Sequence, residues 1–216
     1  MSVRWSRGVR LAVVLLVTAA VVVGVPAIRE PMLRAAGWAL VFDEPLGPAD
    51  LVVVPVDAGG AGVLEAADLV RSGIAGRVVV FADLPDEVDR EFSRRGVPYE
   101  NKAAWAVRHL RLLGVTAIEP PPRAVVGTED VGAVLPDWCA QRQLRSIVVV
   151  STPDHSRRLH RVLQRAMRDR PTRVRIRVTR HSEFDPDRWW ETRGGIRTAI
   201  TELQKLLFDL IRHPLS

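Results

Sequence analysis

Cysteine is nearly absent from this chain. Cys139 is the only one among 216 residues, so no intrachain disulfide forms and a disulfide-stapled scaffold is excluded. A lone thiol does not fix a compartment. Beside Trp138 on an expected helix, it reads as a buried structural thiol. Lysine is almost missing too: of 31 Lys and Arg residues only Lys102 and Lys205 are lysine, and the net charge is +6. The Arg, Ala and Val bias suggests a GC-rich bacterial genome, a codon effect without functional content. No His and Cys spacing suggests zinc. There is no GxGxxG, no Walker loop, no internal repeat and no low-complexity tract. With 47% hydrophobic and 26% charged residues, the composition excludes wholesale disorder.

The chain does have one long hydrophobic run. From Leu11 to Ile28 no residue is charged. These 18 residues, as a helix, span roughly 27 Å, close to the hydrocarbon thickness of a bilayer. Arg4, Arg7 and Arg10 precede it, and Trp5 and Trp38 flank it at interfacial positions. The run is longer than a signal-peptide core, and Val25-Pro26-Ala27 is a poor cleavage site. An uncleaved single-pass anchor is therefore expected. Residues 1–10 are a basic cytoplasmic N-terminus, 11–28 the transmembrane helix and 29–48 a linker. A domain over 49–216 is held at the cell membrane on the extracytoplasmic side, and the bilayer is the expected partner through residues 11–28. On that side nucleic acid is not an expected partner.

Past the breakers Pro45, Gly47 and Pro48, apolar runs alternate with helical patterns. Strands are expected at Leu51–Val56, Arg77–Phe81, Ala124–Val126 and Ser146–Ser151. A half-exposed edge strand carries Val174, Ile176 and Val178. Helices are expected at Leu64–Val70, Pro85–Arg95, Ala103–Leu113, Val131–Arg142, Leu159–Met167 and Ile196–Ile211. Continuous apolar strands between helices imply an α/β fold: a doubly wound, mostly parallel, Rossmann-like sheet preceded by one transmembrane helix.

Ligands in such folds bind beyond the C-terminal ends of the strands. After the first strand stand Asp57, Gly59 and Gly60, which either cradle a phosphate or make a tight turn. After the second stands Asp83. After the third, Thr128 caps a helix or meets a ligand, with Glu129 and Asp130 at the positive end of the dipole. After the fourth come Ser151, Thr152, Asp154, His155, Arg157 and Arg158. There His155 suits acid/base work, and the two arginines suit an anion clamp. The opposing reading is that Thr152 or Asp154 caps a helix and the arginines are solvated. The helix dipole with Arg157 and Arg158 is expected to lower the pKa of His155. Ten arginines between Arg157 and Arg180 read as a solvated helix face and an edge strand kept soluble by charge, or as a contact for anionic headgroups. The series Asp57, Asp83, Glu129 and Asp154 is the only grouping that suggests a divalent cation, and no metal site is assigned.

Several segments, PADLVVVPV, GVLEAADLVRSGIAGRVVVF, GTED, SIVVVSTPDHSRRLHRVL, RWW and ELQKLL, resemble the YdcF/SanA/ElyC-like family over about Pro48 to Leu210. The most specific parts are the strand before ST-x-x-H-S-x-R and the order of Thr128, His155, Trp189-Trp190 and Glu202-x-x-Lys205. The resemblance implies a Rossmann-like domain behind one membrane helix, tied to the cell envelope, with a polar cluster mapping onto Thr128, Ser151, His155 and Arg158. The family's glycine turn after the first strand is shifted here, and Gly62 stands where it has an arginine. A phosphorylated or otherwise anionic envelope metabolite, or a lipid carrier, is the ligand this implies. The cofactor is left unnamed and catalysis is left open. The alternative is a non-catalytic tethered module that supports envelope assembly by protein contacts.

Overall fold

A computed structural model describes residues 24–97 and 101–214, with positions 8, 13 and 14. The run read as a membrane span falls largely outside the described residues. Among the described residues no helix is long and apolar enough to cross a membrane.

The fold is α/β, with one five-stranded, all-parallel sheet. The strands are β1 (Leu51–Val54), β2 (Val78–Val80), β3 (Ile118–Glu119), β4 (Ser146–Ser151) and β5 (Arg173–Val178), in the order β3-β2-β1-β4-β5. That order is Rossmann-like, and it reverses between β1 and β4. The helices are α1 (Pro26–Trp38), α2 (Gly59–Arg71), α3 (Glu87–Arg94), α4 (Lys102–Leu112), α5 (Gly127–Gln141), α6 (Pro153–Ala166) and α7 (Arg193–Arg212), with short 3-10 turns at Val56–Ala58 and Trp189–Glu191.

Strand pleat explains why the central strands read as unbroken apolar runs. Alternate side chains point to opposite faces, and both faces are covered. Leu51, Val53, Ile147 and Val149 join Leu135, Trp138, Leu159 and Leu163 of α5 and α6. Val52, Val54, Val148 and Val150 join Val63, Ala66 and Leu69 of α2 and Leu110 of α4. Every residue of β1 is buried, and each such side chain stabilises the fold by about 1.5–3 kcal/mol.

The third strand lies elsewhere than expected. Ile118 and Glu119 pair with Val78 and Val79, whereas of the expected Ala124–Val126 only Val125 contributes, as an isolated bridge to Asp83. Pro120, Pro121 and Pro122 stand between, and without N–H groups they interrupt the ladder. Several helices begin earlier than expected, at Gly59, Gly127, Pro153 and Arg193. Gly59 has φ +53° and ends the 3-10 turn, a conformation glycine adopts without penalty. The glycines are therefore the first turn of α2. Gly62 faces the sheet: a Cβ there would lie 2.5 Å from that of Ala58, so a larger side chain at this position requires α2 to shift.

Residues 29–48 are built into the fold. Leu33, Ala36 and Leu40 pack with Phe184, Trp189, Ala199 and Leu206 in a third apolar cluster. Further on, Asp43 and Glu44 run beside β5. The N–H groups of Ile176 and Val178 donate to Glu44 Oε2 (3.0 Å) and Asp43 Oδ1 (2.9 Å). Two outward N–H groups of the edge strand, those of Ile176 and Val178, thus end on carboxylates.

Candidate functional site

α6 starts directly after β4, which places His155 in its first turn and only 5% exposed. Three other elements converge on its ring. From the turn after β1, Asp57 Oδ2 lies 2.9 Å from Nε2. From the first turn of α5, Thr128 Oγ1 lies 3.2 Å from Nε2. From α7, Glu202 Oε2 lies 3.3 Å from Nδ1. Arg158, one turn along α6, donates to Glu202 (3.2 Å) and Thr128 (3.2 Å), and its Nη2 is 3.0 Å from Nδ1. Lys205 closes the group, donating to Glu202 at 2.7 Å.

The charges bias the protonation states. Burial by itself disfavours the imidazolium, but hydrogen bonds to Asp57 and Glu202 outweigh it and raise the His155 pKa. The expected lowering is therefore corrected: Arg158 opposes the charged ring, but the two carboxylates flanking it dominate. Burial would push Glu202 up; the bonds from His155 and Lys205 and the charge of Arg158 bring it down to about 2. Asp57 is likewise held below its ordinary value against burial, by the bond from His155 and the charges of His155 and Arg158. The doubly protonated ring donates to Asp57 and Glu202. In the singly protonated ring Nδ1 is free to accept from Arg158.

A cleft of about 120 Å³ opens in front of this network, at the C-terminal ends of β1 and β2. Asp57, Asp83, Lys102, Gly127 and Thr128 line it, with Val56 and Leu159 among its apolar walls. Lys102 also borders an apolar cavity of about 320 Å³ walled by Val54, Gly59, Gly60, Phe81 and Trp105. It borders a third of about 340 Å³ with Asp83, Asp86 and Asp89 as well. Burial raises the pKa of Asp83; Lys102 opposes the rise and Asp57 adds to it. The two carboxylates in this cleft thus shift in opposite directions, Asp57 below its ordinary value and Asp83 above it.

The sequence candidates divide. Asp57, Thr128, His155 and Arg158 come together, while Gly59 and Gly60 line the neighbouring apolar cavity. Arg157 turns the other way: its Nη2 donates to Val41 O at 2.6 Å and its guanidinium sits over the Phe42 ring. Ser151 is buried and donates to Thr152 O. Thr152 is the N-cap of α6, but its side chain makes no capping bond to the helix backbone. Asp154 is half-buried, its pKa raised by burial against a bond with Thr152. Glu129 is exposed and pairs with Arg165. Neither Glu129 nor Asp154 lines the cleft with Asp57 and Asp83. Among the described residues no group of three or more His, Cys, Asp or Glu side chains could hold a metal ion.

Reading the strand ends missed Lys102 and Glu202. Glu202 and Lys205 entered through the family resemblance alone, because α7 follows no strand. One signal was available: both lysines of an arginine-dominated chain stand at this site.

No protein-family model matches the chain, and no curated protein does. Among solved structures it is similar to the universal stress protein from Archaeoglobus fulgidus. The identity is 16%, with 60% of this chain and 93% of that chain covered and a TM-score of 0.38. A likeness this distant carries no argument about the site.

Proposed function

We propose that this chain is a membrane-anchored cell-envelope protein of the YdcF-like kind. Its domain binds, and exchanges a proton with, a small phosphorylated or otherwise anionic molecule in the cleft between β1, β2 and α5. One observation carries the reading: Asp57 and Thr128, both facing the cleft, are fastened to the same buried imidazole. A purely structural histidine does not need cleft-lining partners on separate elements.

The ligand's anionic group sits against the Lys102 ammonium and the unpaired N–H groups opening α5. It lies away from Asp57. Asp57, held ionised, accepts a proton from a ligand hydroxyl or water. His155 stays behind it. With Glu202 and Arg158 it fixes the orientation of Asp57 and sets how strongly that carboxylate holds a proton. The membrane and envelope parts of the proposal rest on residues 11–28 and on the family resemblance.

The test uses full-length protein in detergent. Mass spectrometry identifies small molecules that co-purify, and thermal unfolding is followed against inorganic phosphate and pyrophosphate. Lys102 is 76% exposed, so Lys102→Ala leaves stability within about 0.5 kcal/mol, while the phosphate affinity read from ligand-dependent stabilisation falls at least about tenfold, the loss of one charged contact. If neither anion stabilises the wild type and nothing anionic co-purifies, the reading is wrong. The alternative, a non-catalytic envelope module, draws on the burial of His155. It is favoured if Asp57→Asn and Lys102→Ala both leave the envelope phenotype intact.

A further inference from the structure

α7 is twenty residues long and buries a single stripe, Gly195, Ala199, Glu202, Leu206 and Asp209. A second apolar stripe on the same helix is left open. Ile196, Ile200, Leu207 and Ile211 recur at helical spacing with Phe208 beside them, and Leu207, Phe208 and Ile211 are 58%, 57% and 70% exposed. A contiguous open apolar patch of this kind marks an interaction surface.

Charge and chain position choose the occupant. The only acids of α7, Glu202 and Asp209, point inward and are paired with Arg158, Lys205, Arg161 and Arg165. On the outer side stand Arg193, Arg197 and Arg212, with the Arg212 guanidinium 4.7 Å from the Phe208 ring. A second copy mating through this face would set arginine against arginine, whereas anionic headgroups attract it. α7 also shares its apolar cluster with Leu33 and Ala36 of α1. α1 in turn begins at Pro26, within the uncharged run 11–28, and leaves Ile28 and Met32 exposed. The open face therefore belongs to the part of the domain tied to the anchor.

From this we infer that α7 lies along the bilayer surface, with Leu207, Phe208 and Ile211 in the interface and Arg193, Arg197 and Arg212 among anionic headgroups, as interfacial amphipathic helices do. The inference rests on reading residues 11–28 as the anchor. It adds a second, peripheral contact through the helix whose inner side carries Glu202.

Full-length protein in vesicles tests it. Burial pushes the Cys139 thiol up to about 12, so Cys139 resists maleimide and Leu207→Cys takes a nitroxide label selectively. Arg90→Cys on exposed α3 is the control. In phosphatidylcholine vesicles containing phosphatidylglycerol, the label at 207 is relaxed by oxygen and shielded from a water-soluble nickel chelate, and the label at 90 behaves oppositely. Shielding at 207 weakens in phosphatidylcholine alone. If 207 is open to the chelate while the chain resists alkaline carbonate extraction, the inference fails and the anchor stands. Spin–spin broadening between two 207 labels assigns the face to a second copy and also overturns it. Extraction by carbonate overturns the anchor reading itself.

Discussion

Glu202 binds the site together, because one carboxylate receives His155, Arg158 and Lys205 at once. Replacing it by glutamine keeps the shape and removes the charge. The His155 pKa then falls, since one of the two anions that raise it is gone, and NMR titration of the ring reads the change directly. The two pKa shifts also give the network's contribution to stability opposite pH limits. Glu202 has a lowered folded value, so its contribution is present above its unfolded value near 4.5 and lost as pH falls towards about 2. His155 has a raised folded value, so its contribution is present below 6.5 and lost as pH rises through the folded value. Stability from this pair is greatest between those limits, and Glu202→Gln flattens the profile on both sides in urea unfolding across pH. His155 itself was legible from its place after a strong strand. The sign of its pKa was not, because Asp57 and Glu202 approach from 98 residues before and 47 residues after it.

At the scale of elements, the positions of α2 and β3 show what pattern reading can and cannot deliver. β1, β4 and β5 were legible because unbroken or alternating Val and Ile runs have few other solutions. β3 was not: its two residues carry no pattern, and three prolines divide the edge that Val125 resumes. The start of α2 was hidden because glycines suit a loop and a close helix equally well. Gly62 is now accounted for by packing, wedged over Ala58, Val54 and Val150. Gly62→Ala therefore forces α2 off the sheet and costs about 1–3 kcal/mol, the usual price of overpacking. Urea unfolding with an unchanged m-value checks this, and an unchanged midpoint would show that α2 shifts freely.

In the whole molecule, a sheet of the expected class is joined to features no strand-and-helix pattern announced. α1 and the stretch after it are fastened to the domain by a main-chain bond from Arg157 N–H to Leu40 O and by Phe42 stacking on His160 at 3.6 Å. They also cover an edge. β5 lies at the end of the sheet, and its N–H groups at Ile176 and Val178 are answered only by the Glu44 and Asp43 side chains among the described residues. A chain shortened to begin at residue 49, where breaker residues invite a cut, would carry an open strand of six residues whose β-branched Val174, Ile176 and Val178 leave the charges of Arg173, Arg175 and Arg177 as its remaining protection. Two such chains can zip edge to edge. The shortened chain should then elute as a concentration-dependent oligomer in light-scattering chromatography, while a chain beginning at residue 26 stays monomeric. The eight or so residues before the first strand are the protein's own guard against becoming a template for its copies.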